Sequence, residues 1–382
     1  MLCLARGVHD QVYVALTMST LEPESRRAWR DLLDLLRDAD ATFLAPPRGP
    51  LDARGVSDGY QHLTHLLGYA FDLYLEADAE RPAFTPLASP TRKILGDNVD
   101  SLYFFAPLRG DRSYRIAGVR GDGIYLAFCV YGGRPDGEWS ERVVANVSQR
   151  QLTFAPDGRF ELVLSPDPPP QGAANWARLE PDAVCVITRE YFLDRATATP
   201  SRFQIEAIDQ VPPPAPLDDA GLARRLRAVA TFVRETLNIV PLPELPPNVV
   251  GPAMPWSPHV PGWGTPDNVY ALGAFRLEPD EALVISGAIP PCTYWGVQTW
   301  TRYMQSLDYR YHRVSLNQAQ ATLGADGSFR VVLAHRDPGV PNWISTAGRR
   351  EGLVFCRWLQ ADELPPQPTS EVMTLDSLRR GG

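Results

Sequence analysis

The sequence ERVVANVSQRQLTFAPDGRFELVL at residues 141–164 returns as HRVSLNQAQATLGADGSFRVVL at residues 312–333. Two further blocks accompany it in the same order. GDNVDSLYFFAPL at residues 96–108 matches PDNVYALGAFRLE at residues 266–278, and NWARLEPDAVCVITREYFL from residue 175 matches NWISTAGRREGLVFCRWL from residue 342. Asn98 and Asn146 are 48 residues apart, and Asn268 and Asn317 are 49 apart. The chain therefore contains an internal duplication.

Each copy has the pattern of short antiparallel strands. An Asp-Gly pair occurs at Asp157 in the first copy and at Asp326 in the second. Because both positions of this pair tolerate positive φ, we predict a hairpin in each copy. Alternate residues after each pair are apolar, as in a strand with one buried face. The pattern predicts a mostly β (α+β) fold with two tandem antiparallel β-sandwich or jelly-roll-like repeats.

Helical patterns lie before and between the repeats. Ser25 and Ser57 are predicted to cap an N-terminal pair of helices, and Asp218 or Asp219 to begin a linking helix. We therefore divide the chain into a tail or misassigned start (1–17), an N-terminal helical region (18–85), a first β repeat (86–210), a linking helix with a Pro/Trp-rich connector (211–266), a second β repeat (267–362) and a loose tail (363–382).

Composition excludes several classes of function. The 382 residues include 37 basic and 45 acidic side chains, a net charge of −8 without basic runs, so we expect no nucleic-acid or membrane partner. No apolar run reaches the roughly 18–20 residues that cross a bilayer. Five scattered cysteines without a CxxC motif are typical of reduced thiols, which predicts a cytoplasmic protein. No nucleotide, haem or metal motif is present, so we expect no cofactor and no metal, with a small molecule as ligand and a homo-oligomer left open.

Lys93 is the lysine of a chain whose other 36 basic residues are arginine. Lysine is a compact cation whose pKa falls on burial, and it can act as a nucleophile. Lys93 lies in the first copy of the signature TRKILGDN, whereas the second copy has Gly264 or Thr265 there. We interpret it as a candidate catalytic residue; the alternative is a remnant of biased composition.

Other candidate residues lie near the repeat signatures. His312, in a segment that we interpret as a polar and aromatic strand, could act as an acid or base, although a solvated edge strand explains it equally. Asp97, Asn98 and Asp100 form a turn or a cation contact. His62 and His65 are packed or surface histidines, or two ligands of an incomplete metal site. The predicted substrate-binding residues are Arg92, Asn98, Tyr103, Arg313, Trp263 and Trp295.

Three stretches resemble an uncharacterised bacterial family, domain of unknown function 1214. They are TRKILGDNVDSLY at residues 91–103, ADGSFRVVLAHRDPG at residues 325–339, and an NW pair followed by a strand that ends in Arg357 and Trp358. The second repeat is similar to the defining β domain of the family, and the first resembles a diverged copy. The resemblance covers residues 91–359 and implies a two-lobed β architecture. It supplies no reaction, cofactor or catalytic residue.

The functional expectation follows from the residue inventory. We expect a cofactor-independent enzyme, a lyase or isomerase, that performs proton-transfer chemistry on a small, partly apolar, anionic metabolite. Arg92 and Lys93 would hold the anionic end. The alternatives are a non-catalytic module that binds a carbohydrate or lipid-like ligand, and a duplicated β-sandwich scaffold. An enclosed cavity with Lys93 and a histidine would favour the enzyme, and an aromatic groove the binding module.

Overall fold

The computed structural model describes residues 22–45, 52–169, 173–242, 244–259 and 261–380, so the predicted tail at 1–17 lies outside the described residues. The helices are α1 (Glu24–Phe43), α2 (Ala53–Ala70), α3 (Asp219–Ile239) and α4 (Leu375–Arg380), and a π-helical turn (Phe71–Leu75) continues α2. The first nine strands are β1 (Thr85–Pro86), β2 (Ser101–Pro107), β3 (Tyr114–Val119), β4 (Tyr125–Gly132), β5 (Arg142–Ser148), β6 (Arg159–Ser165), β7 (Trp176–Arg178), β8 (Ala183–Tyr191) and β9 (Arg202–Ala207). The other ten are β10 (Val249–Val250), β11 (Met254–Pro255), β12 (Asn268–Arg276), β13 (Glu281–Gly287), β14 (Tyr294–Trp300), β15 (Ser315–Asn317), β16 (Phe329–Ala334), β17 (Trp343–Ser345), β18 (Glu351–Leu359) and β19 (Thr369–Thr374).

The strands form four sheets in two equivalent pairs. The first repeat orders its larger sheet β1-β2-β8-β4-β5, and the second orders its own β10-β12-β18-β14-β15. The smaller sheets are β7-β6-β3-β9 and β17-β16-β13-β19. Strands β2 to β9 therefore correspond to β12 to β19 one by one. The mostly β fold with two repeated domains is confirmed.

One hydrophobic cluster joins the two sheets of each repeat. In the first repeat, Phe128 of β4 and Leu162 of β6 belong to the same cluster. In the second, Val297 of β14 and Val331 of β16 do so. The apolar residues after each Asp-Gly pair lie in these clusters, as the alternating pattern predicts.

The helices cover the first repeat. The hydrophobic cluster that contains Leu32 of α1, Leu66 of α2 and Val233 of α3 also includes Tyr131 of β4 and Ile187 of β8. The larger sheet of the first repeat is thus buried on both faces. It packs against the smaller sheet on one side and against the helices on the other.

The predicted helix caps are correct for one of three helices. Asp218 caps α3, since its carboxylate accepts a hydrogen bond from Gly221 N at 2.7 Å. Helix α1 follows Pro23 without a side-chain cap, so Ser25 is not its cap. Helix α2 begins four residues before Ser57 and is capped by Asp52, which accepts from Gly55 N at 2.8 Å. Ser57 lies inside α2, where its hydroxyl donates to the carbonyl oxygen of Ala53 at 3.2 Å, a local bond that a serine can make in place of a cap.

The hairpin predicted in each of the two copies and the strand predicted within residues 301–313 were wrong. The Asp-Gly turns form, with Gly158 and Gly327 at φ of 80° and 79°. They do not close hairpins between neighbouring strands, because β5 pairs with β4 while β6 pairs with β3 in the other sheet. Residues 301–313 are turns and irregular backbone rather than a strand.

The predicted loose tail is part of the second repeat. Strand β19 pairs with β13, and α4 buries Leu375 and Leu378 against the same sheet. Its equivalent in the first repeat is β9, which pairs with β3. The polar composition of 363–382 concealed an edge strand whose side chains are largely exposed.

Strand register corrects one block of the duplication. Tyr103 lies opposite Arg189 in the first repeat, and Tyr270 lies opposite Arg357 in the second. The segment DSLY that ends at Tyr103 thus corresponds to DNVY that ends at Tyr270. This alignment is shifted by three residues from the one that matched GDNV with PDNV. The sequence comparison favoured identical letters, whereas the pairing of strands fixes equivalence in space.

Each repeat contributes a carboxylate to the other. Asp267 accepts hydrogen bonds from the Tyr125 hydroxyl at 2.6 Å and from Asn146 Nδ2 at 2.9 Å. Asp100 accepts from the Tyr294 hydroxyl at 2.8 Å and from Asn317 Nδ2 at 3.0 Å. These exchanged contacts join the larger sheets of the two repeats.

Candidate functional site: a cavity between the repeats

A cavity of about 200 Å³ lies where the two repeats, the connector and the segment before β2 meet. The segment before β2 contributes Leu87, Ile94, Gly96 and Asp97, and the first repeat contributes Tyr103, Trp139, Arg189 and Tyr191. The connector contributes Trp256, Trp263 and Gly264, and the second repeat contributes Asn268, Tyr270, Trp300, Phe355 and Arg357. A cavity of roughly 150 Å³ holds a benzene ring in other proteins, so this one has room for a substituted ring.

Strand alternation aims two arginines at the cavity. On β8, Ile187, Arg189 and Tyr191 point away from the core of the first repeat, while Val186 points into it. On β18, Phe355 and Arg357 share the corresponding face of the second repeat. Side chains of a strand alternate between faces, so a charge at this position faces the cavity rather than the core of its own repeat.

Both guanidinium groups are buried and incompletely bonded. Arg189 and Arg357 are each 6% exposed. Arg189 Nη2 donates to the carbonyl oxygen of Trp263, and Arg357 Nη2 donates to that of Gly96 at 3.1 Å. Arg189 Nη1, Arg357 Nε and Arg357 Nη1 have no hydrogen-bond partner among the described residues. Within that part of the chain, no carboxylate oxygen lies within 4.0 Å of either group.

Aromatic rings partly compensate for the missing counter-charges. The Arg357 guanidinium lies 5.4 Å from the centre of the Tyr270 ring and 5.6 Å from that of Phe355. The Arg189 guanidinium lies 6.0 Å from the Tyr103 ring and 5.9 Å from the Tyr131 ring. Such contacts are worth about 0.5–2 kcal/mol, which is less than the cost of burying a charge without a partner.

Indole groups add further donors. Trp139 Nε1 and Trp256 Nε1 are buried without a hydrogen-bond partner in the described residues. Among the described lining side chains, one buried acceptor without a partner is Asn268 Oδ1. The Nδ2 atom of the same residue donates to the Tyr191 hydroxyl at 3.2 Å. The wall of the cavity is therefore rich in hydrogen-bond donors and poor in acceptors.

Tyr103 and Tyr270 of the wall remain protonated at neutral pH. Burial raises the pKa of Tyr270 to about 12, against the opposing effect of Arg357. Burial likewise raises the pKa of Tyr103, and the neighbouring Tyr191 raises it further. Tyr103 and Tyr270 therefore supply no negative charge to the two arginines.

One glycine allows the connector to close over the site. A Cβ atom at Gly264 would lie 2.1 Å from the Trp256 ring. A side chain at position 264 would therefore displace this ring, and glycine permits the close approach of backbone and indole.

Two predicted binding residues, Tyr103 and Trp263, line the cavity. The Trp263 ring stacks on Phe232 with centroids 5.5 Å apart, and its Nε1 donates to Ser140 Oγ at 3.1 Å. The Tyr103 hydroxyl accepts a hydrogen bond from Asn98 N at 3.2 Å. Both residues are half-buried.

Lys93 lies behind the cavity wall. It is 7% exposed, and its Nζ donates to the carbonyl oxygens of Ser306 and Leu307, each at 2.7 Å. The same nitrogen lies 4.7 Å from the centre of the Tyr309 ring. Burial lowers the pKa of Lys93, and Asp97 opposes this effect most. The contacts describe a cation that joins the segment before β2 to the loop after β14.

Arg92 and Asn98 have structural partners. Arg92 pairs with Asp72 at 2.5 Å and stacks over the Tyr69 ring at 4.4 Å. Asn98 Oδ1 accepts from Asp100 N at 3.1 Å, which closes an Asx turn. Neither side chain lines the cavity, so the predicted binding set is not brought together as a whole.

The remaining predicted residues lie elsewhere. His312 and Arg313 are exposed in the irregular segment after β14, whereas Lys93 is buried. Trp295 is 4% exposed and stacks on Phe329 inside the second repeat, because β14 directs alternate residues into that core. The prediction that Lys93 and His312 share one site is therefore not met by their placement.

The histidines of α2 have packing roles. His62 is stacked between Phe43 and Tyr303, with centroids 5.8 and 5.6 Å away, and neither ring nitrogen has a hydrogen-bond partner in the described part of the chain. His65 Nδ1 lies 2.9 Å from Gln305 Nε2. The described residues contain no group of three or more His, Cys, Asp or Glu side chains arranged to hold a metal ion.

Comparison with known proteins agrees with the duplicated architecture. A family model described as "Protein of unknown function (DUF1214)" matches residues 106–192 and 276–363, one copy in each repeat. The chain belongs to the DUF1214 family. The solved structure of an uncharacterised protein from Burkholderia cenocepacia is 34% identical over 92% of this chain and 98% of its own, with a TM-score of 0.82. A protein from Vibrio parahaemolyticus is 11% identical over 90% of this chain and 99% of its own, with a TM-score of 0.48. Among curated proteins, nothing matches the chain.

The DUF1214 matches include both buried arginines, which sequence analysis missed. Arg189 follows AVCVIT and Arg357 follows LVFC, so each interrupts an otherwise apolar strand. A charge inside a buried strand is costly unless it serves a ligand or a partner. Its occurrence in both DUF1214 copies was the available signal. No described helix of this chain has the length and apolar character needed to span a membrane.

Proposed function

We propose that the protein binds a small, partly apolar anion in the cavity between its repeats. One observation carries this proposal: five buried donor atoms on the wall, three of them on Arg189 and Arg357, have no hydrogen-bond partner among the residues that the structure describes. A carboxylate or another oxyanion supplies both the negative charge and the acceptors that such a wall requires. The aromatic rings of the wall would enclose the apolar part of the ligand.

A buried guanidinium without a counter-ion destabilises the fold by several kcal/mol, and part of that cost is recovered when an anion binds. Functional sites commonly retain such unfavourable groups because the ligand satisfies them. A neutral carbohydrate is disfavoured as the ligand, because it would leave the charges of Arg189 and Arg357 unpaired.

Binding without catalysis is the better supported of the sequence-based alternatives. The proposed acid–base groups Lys93 and His312 do not line the cavity. The proton-transfer reaction stays a prediction that no contact in the cavity supports. We further propose that each repeat is a β-sandwich, since its two sheets share one hydrophobic cluster. A cytoplasmic location remains our expectation from the unpaired cysteines Cys129, Cys185 and Cys356.

Titration with matched neutral and anionic probes tests this proposal. Trp256, Trp263 and Trp300 line the cavity, so a ligand should change the intrinsic tryptophan fluorescence. We expect benzoate to bind with a dissociation constant in roughly the micromolar to millimolar range and benzamide to bind at least tenfold more weakly. Equal affinity for the two probes, or no binding of either, would contradict the proposal.

A variant of the connector provides the second test. Gly264→Ala places a Cβ against the Trp256 ring and should displace it, which weakens benzoate binding. The matched control is Gly327→Ala, at a turn of the second repeat whose Cβ would meet no neighbouring atom. Because Gly327 has φ of 79°, this control costs some stability but should leave benzoate affinity unchanged.

A further inference from the structure

We propose that the ligand is a dianion, whose two anionic groups pair separately with Arg189 and Arg357 and whose ring-sized apolar body lies between them. This inference rests on the proposed function and specifies its ligand class. Each arginine lies opposite a tyrosine on the neighbouring strand, Tyr103 in the first repeat and Tyr270 in the second. The duplication thus gives the cavity two equivalent arginine–tyrosine pairs, one on each wall.

Charge balance favours two negative charges over one. Each guanidinium is nine-tenths or more buried and has unpartnered nitrogen atoms. A single carboxylate neutralises one of two positive charges and leaves the other buried without a counter-ion. A dianion neutralises both, which removes the larger part of the desolvation cost.

The acidic groups near the cavity already have other cations. Burial raises the pKa of Asp97, and Lys93 is the cation that opposes this shift most. The Asp97 carboxylate also accepts hydrogen bonds from Ser306 N at 2.9 Å and Ser306 Oγ at 2.6 Å. Burial raises the pKa of Asp100 too, and Arg195 opposes it more than Arg357 does. Arg357 also opposes the shift of Asp97, but less than Lys93 does. Since neither Arg189 nor Arg357 has a carboxylate oxygen within 4.0 Å among the described residues, these two charges are the ones left for a ligand.

The wall near Arg357 suits a planar ring. The Phe355 ring lies 4.2 Å from the Trp300 ring and 5.0 Å from the Tyr270 ring, measured between centroids. Trp256 meets Tyr270 edge to face at 6.3 Å. Flat aromatic walls favour flat ligands, because stacking maximises contact without ordering many torsions. An aromatic dicarboxylate combines this body with two anionic ends.

Calorimetric titration with isosteric probes tests the number of charges. The dianions are terephthalate and isophthalate, and each is compared with the monoanion in which one carboxylate is replaced by a carboxamide. We expect at least one dianion to bind tenfold or more tightly than its matched monoanion, because it makes a second charge-assisted hydrogen bond. This comparison uses the unaltered chain and does not depend on the folding of a variant.

Arginine variants assign the two charges to the two repeats. Arg189→Met and Arg357→Met should each lower the affinity for the dianion to that of the monoanion. Arg115→Met is the matched control, because Arg115 lies on the outer surface of β3 between Glu161 and Glu206. It should leave both affinities unchanged, and the folded state of each variant is checked by its unfolding midpoint.

The outcomes separate this inference from the proposed function. If benzoate binds but every dianion binds no better than its monoanion, the dianion is excluded and the anion site stands. If both arginine variants abolish binding of the monoanion, one carboxylate bridges the two groups, which also overturns the inference. If no anion binds, the proposed function fails together with it.

Discussion

The two repeats share one arrangement of strands but contact the helices in different ways. The first repeat buries an apolar sheet face that includes Tyr131 and Ile187 against α1, α2 and α3. The second repeat meets α2 through polar and aromatic contacts of its loops. Arg349 forms two hydrogen bonds with Asp58, each at 2.7 Å, and Tyr303 stacks on His62.

This difference shows how a duplicated fold obtains a single site. The outer sheet face of the first repeat packs against the helices through Ile187, and two residues further along β8 Arg189 lines the cavity. The outer face of the second repeat has the aromatic cluster of Trp300 and Phe355 and supplies the aromatic wall with Arg357. The cavity forms where these two outer faces meet. It therefore depends on a difference between the copies in what packs on those faces.

We expect the largest change in the free energy of unfolding from replacing Lys93. This residue connects the two repeats, and the second copy of the signature has no equivalent lysine. Lys93→Met leaves the carbonyl oxygens of Ser306 and Leu307 without their donor. We expect the free energy of unfolding to fall by roughly 3 kcal/mol, while the affinity of the folded protein for benzoate stays the same. Denaturant unfolding and fluorescence titration measure the two quantities.

Lys93→Arg and Arg310→Met serve as controls for this variant. The first keeps the charge and should lose less stability than Lys93→Met. The second removes an exposed cation that pairs with Asp308 and should change stability by less than roughly 1 kcal/mol. A large loss of benzoate affinity in Lys93→Met at unchanged stability would instead place this lysine at the ligand.

The contact between the second repeat and α2 should be sensitive to acid, unlike the apolar contact of the first repeat. Burial lowers the pKa of His62 from 6.5 to about 3, and His65 adds to this effect. Since the folded state disfavours the charged ring, stability is complete above pH 6.5 and falls as the pH drops toward 3. Between about pH 7 and pH 4.5 this group should remove roughly 2.5 kcal/mol.

His62→Phe removes the titrating group and keeps a ring between Phe43 and Tyr303. As the pH falls, the unaltered chain should lose more unfolding free energy than this variant, so the difference between the two should grow. His312→Phe is the control, because His312 is exposed and its replacement should leave the pH profile unchanged. Parallel pH profiles for His62→Phe and the unaltered chain would exclude this mechanism.

Sequence alone was sufficient for the duplicated β architecture, because local signals repeat in order. Asn175 and Asn342 are an example, as each bonds three backbone groups of its own repeat. The edge strand β19 was missed because its exposed side chains carry little hydrophobic pattern. Pairing of β5 and β6 in different sheets was missed because a turn signal does not specify which strands it joins.

The site was only partly predictable, since it is assembled from segments far apart in the chain. Trp263 and Tyr103 were identified from their residue type, whereas Lys93 was selected for its rarity and has a structural environment. Rarity measures composition and contains no information on which face of the fold a side chain occupies. The two arginines were concealed among 36, and only their position within apolar strands distinguishes them.

The exchanged carboxylates give the smallest and most direct comparison between the repeats. Asp100 and Asp267 each accept a tyrosine hydroxyl and an asparagine amide from the opposite repeat, but Asp100 is buried and Asp267 is half-buried. Both tyrosine hydroxyls are buried, but Asn317 is fully buried whereas Asn146 is half-buried, so its amide can turn to water when the acceptor is lost. Asp100→Ala should therefore lower the free energy of unfolding by roughly 2 kcal/mol and Asp267→Ala by roughly 1 kcal/mol. Asp100→Asn and Asp267→Asn keep one acceptor oxygen and should lose less in both cases. Equal losses from the two alanine variants would mean that burial does not distinguish the contacts of Asp100 from those of Asp267. The two repeats would then contribute equally to the stability of their interface, despite their different surroundings.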